Sequence, residues 1–258
     1  MPNPRVTIRG RRAQWLGLEL RTFARKLFRP GTVKLRGLEL EVDRARWSGP
    51  LLNAFDRERY ESAEADILEA TLTPEDRLLE LGTGAGFLGM VASRILAPSR
   101  FRSYEANPEV VAMARRNHAR NDVELDIRNS VVLPAGDERT EVPFYTGDDF
   151  WTGSLIPPAG EYRESTVPAV PLADVLAEFR PTYMAVDIEG GEIALFQDSE
   201  LPGVQKLLIE LHGKATGIPA RDALVRHFLD IGFDIGFEHG RGEAVYFERR
   251  REGAENGR

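Results

Sequence analysis

The chain has 258 residues, 42% of them hydrophobic and 29% charged, with a net charge of −7. This length and balance suit one large α/β domain and exclude a disordered chain, and no apolar run is long enough to span a bilayer. With no cysteine, disulfides, thiolate catalysis and Cys-ligated zinc are excluded, and the lack of a secretory apolar region leads us to expect a cytoplasmic protein.

Charge is unevenly spread. Residues 1–36 hold ten Arg or Lys against one acid, Glu19, a net of +9 that leaves −16 on the rest. Trp15, Leu16, Leu18, Leu20, Phe23, Leu27 and Phe28 mark a basic amphipathic helix, expected to lay its apolar side over the domain with its arginines in solvent. It also offers a face for a neighbouring subunit. Because the basic charge does not extend over the domain, nucleic-acid binding is not expected. Thr32 to Val42 alternates as a short hairpin around Arg36-Gly37. Residues 1–59 thus read as an extension, 60–248 as the main domain, and the polar residues 249–258 as a disordered tail.

Within the domain, residues 60–71 have helical spacing and Thr73-Pro74-Glu75-Asp76 ends them. Strand, helix and strand follow at 77–81, 87–96 and 101–105. Asn107-Pro108 then opens a helix to about Asn121, with Asn as N-cap and Pro at N1, before a strand at 123–127. Residues 131–133 and 142–145 read as a hairpin turning at Gly136-Asp137. Residues 146–167 read as a long Gly- and Pro-rich loop, of a length that more often binds or covers a ligand than merely connects. Helices at 172–179, 192–197 and 220–231 alternate with strands at 183–188 and 206–211, and 233–237 pairs with 244–248. The alternation predicts a doubly wound, mostly parallel α/β sheet closed by an antiparallel C-terminal hairpin.

Three glycines at every second position, in Glu80-Leu81-Gly82-Thr83-Gly84-Ala85-Gly86, follow the first central strand and lead into Phe87. Such a turn delivers the backbone to a ligand at the carboxyl edge of a parallel sheet. A dinucleotide loop would be spaced G-x-G-x-x-G, but here the third glycine comes one residue early. Glu80 would repel a pyrophosphate and suit an ammonium. S-adenosylmethionine carries an ammonium and a sulfonium but no phosphate. Glu105 ends the second strand 19 residues after Gly86, near the interval at which an acid meets ribose hydroxyls. Ala106 and Asn107 follow it in the same pocket, and Asn129 with Ser130 stands where an adenine edge would be read. Further on, Val186-Asp187-Ile188-Glu189-Gly190-Gly191-Glu192 brings two acids to the sheet edge, on one side if the strand stays extended. His212 ends the next strand and is able to titrate near neutrality.

These motifs, together with Tyr60-Glu61, Tyr104-Glu105-Ala106-Asn107-Pro108, Asn117 with Asn121, Val142-Pro143-Phe144-Tyr145 and Ile209-Glu210-Leu211-His212, resemble the FkbM family of S-adenosylmethionine-dependent methyltransferases. The resemblance covers about residues 60–212. It departs from the family at Glu80 and Thr83, where Asp and Ala are frequent, and at Gly191, where Ala is frequent. It implies a class I (Rossmann-like) methyltransferase fold and methylation of a hydroxyl on a small molecule or glycan. An alcohol needs a base within hydrogen-bond reach, and His212, Asp187 and Glu189 are the candidates in that order. Asp187 could instead orient the acceptor or lie by the methionine part of the cofactor. Metal-free catalysis is expected over Mg²⁺ held by Asp187 and Glu189, because no third acid is clearly placed to join them. Trp151 and Ser154 are candidate acceptor contacts. The alternatives are N-methylation of an amide or peptide nitrogen, a nicotinamide oxidoreductase, and a non-catalytic cofactor-binding or RNA-associated domain.

Overall fold

In the computed structural model, which describes residues 19–25, 27–28, 30–147, 153–155, 157 and 161–250, the expected first hairpin is β1 (Thr32–Leu35) and β2 (Leu38–Glu41). Its Val33, Leu35, Leu38 and Leu40 join the same apolar cluster as Leu68 and Leu78 of the main domain. Two asparagines hold it there. The backbone N–H of Glu41 donates to Asn117 Oδ1, and that of Glu39 to Asn121 Oδ1, each at 2.8 Å. A helix not anticipated from the sequence, α1 (Gly49–Asp56), follows with Pro50 in its first turn and precedes α2 (Ser62–Thr71).

The first central strand, β3 (Leu78–Leu81), is buried at all four positions. Leu78 packs on one face and Leu79 and Leu81 on the other, as a strand covered on both sides requires. Then come α3 (Phe87–Ala92), β4 (Phe101–Glu105), α4 (Pro108–Arg120) and β5 (Asp126–Asn129). The helix α3 ends four residues before the expected Leu96. β5 lies about three residues later than expected, its register set by pairing of Tyr104 with Arg128 and Glu105 with Asn129.

A second sheet is the main departure from expectation. β6 (Val131–Leu133) does not form a hairpin with β7 (Glu141–Thr146). β9 (Arg163–Pro171) comes between them, parallel to β6 and antiparallel to β7, and β8 (Gly153–Ser154) pairs on the far side of β7. Val131, Leu133, Val142, Phe144 and Val167 make a separate apolar cluster under this sheet. The stretch read as a long loop therefore contains β8 and the first half of β9, the latter hidden in sequence by Pro168 and Pro171.

The chain continues through α5 (Leu172–Phe179), β10 (Tyr183–Val186), α6 (Glu192–Phe196), β11 (Lys206–Glu210), α7 (Gly213–Thr216), α8 (Ile218–Asp230), β12 (Phe233–Ile235) and β13 (Ala244–Arg249). The seven-stranded sheet runs β12, β13, β11, β10, β3, β4, β5, with β13 antiparallel to both of its neighbours. The order reverses between β3 and β10, which is where such folds open a crevice. This is the doubly wound, mostly parallel α/β sheet that the alternation of strand and helix predicts, closed by an antiparallel C-terminal hairpin. Arg249, expected in a disordered tail, belongs to β13 and donates to the carbonyls of Val204 and Leu201 at 3.0 Å.

The N-terminal helix is turned the opposite way from expectation. Its polar residues Thr22 and Arg25 face the domain, while Leu20, Phe23, Leu27 and Phe28 face outward. Trp15, Leu16, Leu18 and residues 251–258 lie outside the described residues.

Candidate active site

The glycine loop leaves β3 with Gly82, Gly84 and Gly86 all at positive φ (86°, 50° and 78°). A Cβ at Gly82 would overlap the carbonyl of Asp187, so the loop and the end of β10 pass each other at a distance only glycine permits. Neighbouring polar groups fix the loop. Ala85 N–H donates to the Tyr60 hydroxyl at 2.9 Å, Asn117 donates to Ala85 O at 2.8 Å, and His118 Nε2 lies 3.0 Å from Gly86 O. Asn117 thus ties the hairpin and the loop to one helix.

Glu105 sits across from the loop. Its carboxylate accepts from Thr83 N–H at 3.2 Å and Asn107 N–H at 2.8 Å, while burial raises its pKa. Around these groups lies a cavity of about 920 Å³. Of the residues expected to hold the cofactor, Gly82, Gly84, Glu105, Ala106, Ser130 and Asp187 line it, and Glu189 and Ser154 line it too. The other expected cofactor residues sit behind the wall. Phe87 is 1% exposed in the core, Thr83 bonds Ser103 at 2.8 Å, Asn107 caps α4 through Glu109 N–H, and Asn129 spends its amide on the carbonyls of Glu105 and Ala106. Glu80 is also inside, 2% exposed. Burial and the nearby Glu105 charge push its pKa up to about 8. Trp151 lies outside the described residues.

Residues that the sequence reading did not place in the site now enter it. Glu61 lines the cavity beside Gly84; its backbone is left-handed, with φ 44°. Its Oε2 is buried without a hydrogen-bond partner, and burial, with the charge of Glu80, raises its pKa well above the carboxylate range. The adjacent pair Tyr60-Glu61 was the available signal. Its role emerges only when α2 is set against the loop.

At the end of β10 the strand stops at Val186, and Glu189 enters a left-handed turn with φ 54°, so Asp187 and Glu189 do not share an extended strand. Both nonetheless reach His212, whose Nε2 is 3.6 Å from Asp187 and 3.5 Å from Glu189. His212 Nδ1 is 2.9 Å from Glu192 Oε1. That bond, with the surrounding carboxylates, raises His212 to about 9 against the opposing effect of burial. Asp187 Oδ1 is buried without a hydrogen-bond partner. Burial and the charges of Glu210 and Glu189 push the Asp187 carboxyl well above its usual range. The acid that stands with Asp187 and His212 is Glu210, and Glu189 is not in that group. Atoms of Asp187, Glu210 and His212 lie within 4.8 Å of one another, a donor set able to hold a divalent ion.

The chain matches the family model of protein-L-isoaspartate(D-aspartate) O-methyltransferase over residues 58–146, about a third of its length. A 61-residue stretch, 24% of this chain, is 39% identical to ribosomal protein L11 methyltransferase of Symbiobacterium thermophilum and spans only 20% of that protein. Among solved structures, a methyltransferase from Pyrococcus furiosus is similar over 93% of this chain and 98% of its own (15% identity, TM-score 0.45). Ribosomal protein L11 methylase from Lactobacillus delbrueckii subsp. bulgaricus is similar over 86% of this chain and 100% of its own (13%, 0.44).

S-adenosylmethionine is the cofactor this cavity fits. Glu105 offers carboxylate oxygens for a vicinal diol, the glycines leave the backbone bare, and Glu61, with Oε1 near Gly84 and Oε2 buried without a hydrogen-bond partner, offers a carboxylate for an ammonium. Among the described residues the cations that line the cavity are Arg59 and Arg241.

Proposed function

We propose that the protein is a cytoplasmic S-adenosylmethionine-dependent methyltransferase that methylates a hydroxyl on a sugar or secondary metabolite, with residues 60–248 carrying the chemistry and the FkbM pattern as its finer family. The observation that carries the reading is the buried Oδ1 of Asp187 at the edge of the glycine-loop cavity, which has no hydrogen-bond partner and lies 3.6 Å from His212 Nε2. When bound, S-adenosylmethionine supplies an electrophilic methyl group. Glu61 holds the ammonium, and Glu105 accepts from the ribose hydroxyls. Asp187 takes the proton of the acceptor hydroxyl, a role open to a carboxylate whose pKa lies above the ordinary range. His212, holding its proton at neutral pH, is no longer the first choice of base. It orients Asp187 and balances the charge of the acids around it. Phe144 and Leu155 give the cavity an apolar wall that keeps water from the methyl group.

One observation favours a second reading, methyl transfer to nitrogen. Glu64, Glu189, Glu210 and Glu243 line the same cavity, a charge distribution suited to an amine. Incubation with methyl-labelled S-adenosylmethionine and paired hydroxyl and amine acceptors, followed by mass spectrometry of the product, tests the choice. Label on oxygen supports the proposal, and label on nitrogen replaces it.

A further inference from the structure

We infer that the N-terminal helix is a peripheral membrane anchor whose apolar side enters the surface of an anionic lipid bilayer. On helical residues 19–25 and 27–28, Leu20, Phe23, Leu27 and Phe28 are 62%, 66%, 63% and 78% exposed. At 3.6 residues per turn these four fall within an arc of about 140°. Scattered apolar side chains are ordinary on a surface, but four large ones on one stripe make a patch.

The polar side of the same helix is bonded to the domain, which fixes the stripe outward. Thr22 Oγ1 donates to the Asp56 carbonyl at 3.1 Å, and Arg25 donates to the same carbonyl at 2.9 Å and to Lys34 O at 3.1 Å. Arg57 pairs with Glu19 at 3.3 Å. Turning the apolar residues inward would break all of these contacts.

Charge selects the occupant. Residues 1–36 carry a net +9, supplied in part by Arg5, Arg9, Arg11, Arg12, Lys26 and Arg29, whereas the remainder of the chain carries −16. A bilayer rich in anionic lipid attracts this segment, and it repels the rest of the molecule, which sets the orientation at the surface. A second copy docked stripe to stripe would instead bring two strongly basic segments together. No helix among the described residues is long and apolar enough to cross a membrane, so the helix lies in the interface. The inference does not depend on the chemistry of the cavity.

Sedimentation of the full chain with vesicles of phosphatidylglycerol and phosphatidylcholine tests it, beside vesicles of phosphatidylcholine alone. Binding to the anionic vesicles is expected, at least tenfold weaker in 0.5 M salt, and at least tenfold weaker for a Phe23→Ser, Leu27→Ser double variant with an unchanged melting temperature. Failure of the wild type to bind anionic vesicles overturns the inference, as does binding that the double variant retains. A wild-type dimer that the same substitutions convert to a monomer, without vesicle binding, overturns it in favour of a second copy on this face.

Discussion

His212 Nδ1 lies 2.9 Å from Glu192 Oε1, and that same oxygen also accepts from the N–H groups of Gly190 and Ile188 at 3.2 and 3.4 Å. Glu192 is 1% exposed. Burial raises its pKa most, but the bond to His212, the His212 charge and backbone N–H bonds together outweigh burial and leave the carboxyl below its ordinary value. The turn after β10 and the end of β11 are therefore clasped by one charged hydrogen bond between α6 and His212.

The clasp makes stability depend on pH. His212 is raised to about 9 in the folded chain against about 6.5 unfolded, so its contribution is fully present below pH 6.5 and is lost as pH rises through 9. A shift of this size corresponds to something on the order of 2–3 kcal/mol. In Glu192→Gln the His212 titration, followed by NMR, moves down by at least one unit, and the melting temperature loses most of its fall between pH 6.5 and 9.

Asp187→Asn removes the proposed proton acceptor and keeps the side-chain shape. Turnover falls by about 10²- to 10⁴-fold, while affinity for S-adenosylhomocysteine changes by less than about threefold, on the view that Asp187 serves the acceptor side. The acid limb of the wild-type pH profile lies above the usual carboxylate range, in keeping with the raised Asp187.

Glu61→Gln separates the methionine end of the cofactor from the nucleoside end. Loss of a charged hydrogen bond of about 1.5–3 kcal/mol weakens S-adenosylhomocysteine binding by about 10- to 100-fold. Binding of 5′-methylthioadenosine, which has no ammonium, is unchanged. Equal loss for both ligands would mean that Glu61 only supports Tyr60 and the loop.

Gly82→Ala places a methyl group on the Asp187 carbonyl at a position whose φ is 86°. The expected loss is about 3 kcal/mol or more, read as a drop of about 10 °C in Tm. Gly136→Ala has a similar φ of 89° but open space around it, and so costs only the backbone term.

Metal removal distinguishes the two uses of the acid cluster. On the metal-free reading, in which Asp187 takes the proton itself, chelation by EDTA leaves turnover unchanged. Restoration of a lost activity by Mg²⁺ would assign Asp187 and Glu210 to a metal instead.

Much of this was legible in the sequence because it rests on local patterning. The alternation of strand and helix, the glycine loop, Glu105 at its interval and the acids after β10 are all near-neighbour signals. What escaped depends on contacts between distant segments. Glu61 and Glu210 look like ordinary charged residues until α2 and β11 converge on the loop. Asn129 looked like a base reader, but the nearest acceptors for its amide are the carbonyls that end β4. Glu80 alternates with Leu79 and Leu81, which turns it under the loop and not into the cavity. Helical periodicity found the N-terminal helix, but the bonds of Thr22 and Arg25 decide which side faces out.

Calorimetric titration of the wild-type chain with S-adenosylhomocysteine, beside NADH, decides whether the glycine-loop cavity is a methyl-donor site. One site of roughly micromolar or tighter affinity for S-adenosylhomocysteine is expected, and none for NADH. Absence of binding to S-adenosylhomocysteine, or preferential binding of NADH, would contradict that assignment.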